Sequence, residues 1–178
     1  MKGTGKSSYL QMIAKVMPRV IIYDPLFEHG KLGTVVHTAR DIGNLDKVVV
    51  QPADNTTAIF EEVCRVVWSR DNVFFIADEV EKHEDTYHLT PWFSRVLEHG
   101  RHKGIGGAYV SRRPARMNSS IPALSDHIIV FRLFTPNDIQ YFYEIIGDAA
   151  ERLKTLPDYY FMHYDHKTIT FGKTRPMR

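Results

Sequence analysis

The stretch Gly3-Thr4-Gly5-Lys6-Ser7-Ser8 is made of the residue types that hold a polyphosphate. Small residues let successive backbone N–H groups turn toward phosphate oxygens, and a helix starting just after them adds the positive end of its dipole. A lysine in this place reaches the β- and γ-phosphates, and the hydroxyl of the following residue ligates Mg²⁺. The stretch matches the second half of the pattern G-x-x-x-x-G-K-[ST]. Gly3, Thr4, Gly5, Lys6, Ser7 and Ser8 are therefore the candidates for binding ATP, with Lys6 also catalytic and Ser7 a metal ligand. The pattern's first glycine, and the strand that feeds such a loop, would fall before Met1, so a first strand is expected to be missing.

A partner for the loop lies further along. Val73–Ala77 (VFFIA) is an uninterrupted apolar run closed by Asp78-Glu79. A strand apolar on both faces suits the centre of a parallel sheet. Asp78 at its end can hold Mg²⁺ through water, and Glu79 can orient and polarise an attacking water. Phosphoryl transfer asks for positioning and charge neutralisation more than covalent chemistry, so this short list suffices. Adjacent Asp and Glu favour a water-activating ATPase over a kinase acting on a substrate hydroxyl.

The elements that must position these residues alternate between strand and helix, the pattern of a layered α/β sheet. Helices are predicted over 7–17, from Asn55 or Thr56 to Ser69, from Pro91 to Gly100 and over 137–146. Strands are predicted at 19–23, 35–36, 47–51, 73–77, 106–111 and 127–133. The segments 159–164 and 168–171 flank Asp165-His166-Lys167 and read as a C-terminal β-hairpin. The expected organisation is one ATPase domain over 1–178, with a core at 1–147 and a C-terminal helix and hairpin at 148–178.

Composition narrows the class. With 43% hydrophobic and 25% charged residues the chain is neither disordered nor fibrous. A formal net charge of +2 means that any nucleic acid is held by a local patch or by surrounding the strand in an oligomer. The lone cysteine, Cys64, cannot form an internal disulfide and reads as a buried packing residue, which fits a reducing compartment. No signal peptide and no membrane-length apolar run is seen, so a cytoplasmic protein is expected. Among the histidines, His83, His88, His99 and His102 show no H-x-x-x-H or Cys–His spacing, and no zinc site is assigned.

From Trp92 to Pro114 the chain reads WFSRVLEHGRHKGIGGAYVSRRP. This resembles the HerA–FtsK superfamily of DNA-pumping ATPases, in which a G-R-x-x-G turn follows the helix after the acidic pair and the next strand ends in S-Q-R-P. Gly100-Arg101, Gly104, Ser111 and Arg113-Pro114 fall at the matching places without a gap. Asp24-Pro25 with Glu28-His29 resembles the family's D-P-x-x-E-[HY], and Asp126–Leu133 followed by Asp138 resembles its late strand and helix.

The resemblance implies a three-layer P-loop NTPase of the additional-strand, catalytic-glutamate (RecA-like) type that uses ATP and Mg²⁺. It implies that Arg101 enters a neighbouring subunit's ATP site as a trans-acting arginine finger; a helix-end charge complementing the dipole is the alternative. At the sensor position Arg112 stands where the family has glutamine, a fixed cation in place of a neutral amide. Asp24 and Glu28 either support the site or shape a turn. Arg95, Arg101, His102, Lys103, Arg112, Arg113 and Arg116 are the densest basic stretch, and motors of this type grip the backbone without reading sequence. The implied function is translocation of nucleic acid, double-stranded DNA above all, through a homo-oligomeric ring, a hexamer by resemblance. The compact size suits viral genome packaging, with a capsid as partner and host cytoplasm or virion as location. Two other classes are weighed: an assembly and export ATPase resembling the zonular occludens toxin family of filamentous phages, and a degenerate nucleotide-binding module without turnover.

Overall fold

The computed structural model describes residues 4–175, so Gly3 lies outside the described residues. These form two compact units: one of residues 10–112 and 116–124, the other of residues 4–9, 113–115 and 125–175.

The first unit is built on five strands: β1 (Val20–Tyr23), β2 (Thr34–Val36), β3 (Lys47–Val50), β4 (Phe74–Ala77) and β5 (Gly106–Tyr109). All run parallel, in the order β2-β3-β1-β4-β5. Residues of successive parity go to opposite faces. Val20, Ile22, Val49 and Ile76 meet Leu10 and Ala14 of helix α1 (Lys6–Val16). Ile21, Tyr23, Val48, Val50, Phe75 and Ala77 meet Phe60, Val63, Cys64 and Val67 of α2 (Thr57–Trp68) and Phe93 and Val96 of α3 (Pro91–His99). Both faces are covered, which is why the strands read as apolar runs without alternation. Three layers result, as the sequence predicts. Cys64 is fully buried, and burial pushes its thiol well above the ordinary range. Among the described residues no helix is long and apolar enough to cross a membrane.

Side chains satisfy the N-terminal ends of α2 and α3. Of the two candidate caps for α2, it is Thr56 whose hydroxyl accepts the Ile59 N–H. At the start of α3 the Glu61 carboxylate accepts the N–H groups of Trp92 and Phe93, and Glu84 accepts Thr90 N–H at 2.6 Å. The Glu61 carboxylate there complements the helix dipole.

Glu84 is buried beside another buried titratable group, His83, whose ring stacks on Phe60 at 4.5 Å. Burial pushes Glu84 up to about 7, although its bonds to Thr90 pull the other way. Burial, with help from the Lys82 charge, pushes His83 down to about 4. The folded chain keeps a proton on Glu84 that the unfolded chain loses, so this stabilising share fades as pH rises from 4.5 through about 7. His83 refuses a proton that the unfolded chain takes up, so its share is present above 6.5 and is lost as pH falls through about 4. The slopes oppose each other. Glu84→Gln should leave stability climbing with pH over 5–6.5, and His83→Phe should leave it falling, each by about 1 kcal/mol per pH unit. Tm measured against pH checks both signs.

In the second unit β6 (Ile128–Phe131), β7 (Tyr160–Tyr164) and β8 (Ile169–Lys173) form an antiparallel sheet in that order. The expected hairpin is β7–β8, turned over Asp165, whose Oδ1 accepts the N–H groups of Lys167 and Thr168. The predicted strand at 127–133 joins the hairpin as a third strand. Its residues give the element but not the pairing partner. Val130 and Met162 pack against Ile139 and Phe142 of α4 (Pro136–Ile146) and Leu153 beyond it.

Candidate nucleotide site

The described part of the glycine-rich loop, residues 4–8, belongs to the second unit. The Tyr159 N–H donates to the Thr4 carbonyl at 3.0 Å, and the Tyr9 N–H donates to the Gly5 carbonyl at 3.0 Å. Gly5 has φ +108°, and a Cβ there would lie 2.9 Å from Phe131, 3.0 Å from the Tyr159 backbone and 3.1 Å from the Thr174 hydroxyl. Both backbone and space therefore demand glycine. Tyr9 sets its ring edge against Phe131 and Phe161, so the C-terminal sheet backs the loop. Helix α1 starts at Lys6, which puts Lys6 and Ser7, both half-buried, in its first turn, where the N–H groups have no intrahelical partner.

The acidic pair lies in the first unit. In an open parallel sheet ligands bind beyond the carboxyl ends of the strands. Tyr23 is in register with Ala77 and with Val50, and Ala77 with Tyr109. The residues that follow these strands therefore converge: Gln51 after β3, Asp24 after β1, Asp78 after β4, and Arg112 a short step past β5. Asp24 and Asp78 are buried. Asp24 accepts the N–H groups of Glu28 at 3.0 Å and His29 at 2.8 Å, and the Gln51 amide at 2.9 Å. It shapes the turn and also reaches the site: His29, buried in that turn, places Nε2 3.5 Å from Asp78 Oδ2. Burial lowers the His29 imidazole, but the carboxylates of Asp78, Asp24 and Glu28 outweigh it and leave it raised. One ligand atom from each of Asp24, His29 and Asp78 lies within 4.8 Å of the others, an arrangement that could hold a metal ion. Histidine spacing in the sequence misses this group because neighbouring strands, not a local motif, assemble it.

Glu79 follows Asp78 with φ 56° and ψ 38°, a left-handed conformation unusual for a residue with a side chain, and its N–H donates to Asp78 Oδ1 at 2.9 Å. Strain of this kind gathers at functional sites. The Glu79 carboxylate, 6% exposed, lies 2.5 Å from the Lys82 ammonium and 3.4 Å from Arg112 Nε. Arg112 also reaches Glu28 at 3.3 Å, and its backbone N–H donates to the Glu81 carboxylate at 3.0 Å. Burial pushes Glu81 up, and the Arg112 N–H partly offsets it. Arg112 thus touches the acidic residue directly, a contact that the sequence alone does not reveal.

Arg101 stands in the turn Gly100–Lys103 after α3, exposed, its guanidinium with no hydrogen bond or ion pair among the described residues. Gly104 closes the turn at φ +67°, where a Cβ would meet Asn72 Oδ1 at 2.3 Å. Of the other basic residues, Lys103 is paired with Asp71 at 2.7 Å and Arg95 lies over Trp92, while His102 and Arg116 are exposed.

The genome-packaging NTPase B204 of Sulfolobus turreted icosahedral virus 2, solved with AMPPCP, superposes with a TM-score of 0.82 at 28% identity, over 98% of this chain and 94% of that one. The same protein with ATP-γS gives 0.82 at 29% identity, over 97% and 93%. The chain has the build of a HerA–FtsK-type viral packaging ATPase. This P-loop NTPase fold extends to the conjugation coupling protein TcpA of pCW3, with ATP-γS, at a TM-score of 0.64 and 13% identity over 97% of this chain and 57% of TcpA. The N-terminal domain of zonular occludens toxin from Neisseria meningitidis gives 0.51 at 12% identity, over 98% and 91%, a likeness of fold alone. No family model and no curated protein matches the sequence.

Proposed function

We propose that residues 1–178 act as one ATPase domain that hydrolyses ATP and couples hydrolysis to moving double-stranded DNA, without reading its sequence, through a homo-oligomeric ring. A hexamer that packages a viral genome into a capsid is the form the resemblance supports. The observation that carries the reading is the buried Asp78-Glu79 pair at the carboxyl end of a central parallel strand, in a chain similar over almost its whole length to a packaging NTPase solved with ATP analogues.

The roles follow from the chemistry of each group. The N–H groups of the loop at 3–8 cradle the phosphates, and Lys6 neutralises charge on the β- and γ-phosphates. Ser7 and Asp78 hold Mg²⁺; their hydroxyl and carboxylate oxygens are the hard donors that this ion takes. Held there beside ATP, the ion would supply charge neutralisation at the phosphates. Glu79 orients and polarises the attacking water. Arg112, at the sensor position, sets the posture of Glu79 through their ion pair. Arg101 reaches the transferred phosphoryl group of the adjoining subunit.

Displacement of a triplex-forming oligonucleotide from linear double-stranded DNA tests the coupling. Release should require ATP and should fail with ATP-γS. ATP turnover with no release on any DNA length would reduce the chain to an uncoupled ATPase.

A further inference from the structure

His29 is 1% exposed, yet neither ring nitrogen makes a hydrogen bond among the described residues. A buried polar group left without a partner is costly. Its Nε2 faces Asp78 Oδ2 at 3.5 Å, longer than a hydrogen bond. That separation is close to the ~3.4 Å expected between two donors sharing one tetrahedral ion at ~2.0–2.1 Å from each. Asp24 completes the set, each residue offering one ligand atom within 4.8 Å of the others.

The surroundings are those of a prepared site. Ligating carboxylates need outer partners that fix their orientation. Asp24 has the N–H groups of Glu28 and His29 and the Gln51 amide. Asp78 receives the Glu79 N–H on Oδ1, which leaves Oδ2 toward His29. Two carboxylates brought together under burial call for a positive charge between them, which a protonated His29 or a bound cation can supply.

We propose that Asp24, His29 and Asp78 bind a first-row divalent transition ion of the Zn²⁺ class, a set that shares Asp78 with the Mg²⁺ accompanying ATP. Mg²⁺ is a hard ion that takes oxygen donors and keeps its waters. One imidazole with two carboxylates suits Zn²⁺ or Co²⁺, and three protein ligands leave a further position for water. The site does not depend on the ATPase reading. Where that reading holds, the ion occupies the Asp78 carboxylate and Zn²⁺ arrests hydrolysis.

The test is a Co²⁺ titration of the nucleotide-free full chain in excess Mg²⁺, followed by visible d–d absorption. The expected result is bands saturating at one Co²⁺ per chain and bleached by one equivalent of Zn²⁺. His29→Gln and, as a second variant, Asp24→Asn should lose them. His127→Gln, in the exposed His127–His163 pair, should keep them. Absent bands, bands that survive both His29→Gln and Asp24→Asn, or bands lost with His127→Gln would each overturn the proposal. Because no nucleotide is present, an inactive ATPase leaves this result standing, and a silent titration leaves the ATPase reading standing.

Discussion

Glu79→Gln is expected to abolish ATP turnover while nucleotide binding persists. The carboxylate is buried at the end of β4, and its backbone is held in a left-handed conformation by the Asp78 bond. An amide of the same shape keeps the volume and can still accept from Arg112, but it no longer draws a proton from water. Loss of a positioned base typically costs ~10²–10⁴-fold in rate. Single-turnover hydrolysis should fall by that factor, with the Kd for a fluorescent ATP analogue changed little. Turnover near the wild-type rate would mean that another group activates the water. Equal loss of binding and turnover would mean that Glu79 holds the nucleotide or the fold instead.

Arg101→Ala carries the second large effect. Its turn is fixed from both ends: the Gly104 N–H donates to the Arg101 carbonyl at 3.1 Å, and the Asn72 N–H to the Lys103 carbonyl at 2.9 Å. A rigid turn presenting an unpaired guanidinium suits a group meant for another molecule. A finger supplied in trans is worth ~10³–10⁵-fold in nucleotide hydrolysis, so the assembled variant should lose at least about three orders of magnitude in kcat. A helix-end charge predicts something else, a stability loss of about 0.3–1 kcal/mol with turnover intact. Thermal melts beside kcat on the assembled fraction separate the two.

Much of this was legible in residue order. The apolar run before Asp78 could be read because a strand covered on both faces has no alternation to hide it. The helix after Pro91 and its glycine-closed turn could be read because caps and left-handed glycines are local. What sequence order did not reveal depends on which strands lie side by side. Asp24 and Asp78 meet because β1 and β4 are neighbours in register, and His29 comes between them because Asp24 folds the following turn back. Arg112 reads as a departure from the family's glutamine, yet its consequence, an ion pair with Glu79, needs the β4–β5 pairing. The role of the C-terminal sheet behind Gly5 was equally hidden, since Phe131, Tyr159 and Thr174 lie far from the loop in sequence.

The most direct measurement mixes the two inactive variants. Glu79→Gln chains still carry Arg101, and Arg101→Ala chains still carry Glu79, so only a site built by both can work. Equimolar mixing before assembly, assayed with double-stranded DNA, should restore turnover to about a quarter of wild type, the share of head-to-tail interfaces that combine the two intact halves. Turnover no greater than the sum of the separate variants would contradict an ATP site shared between subunits.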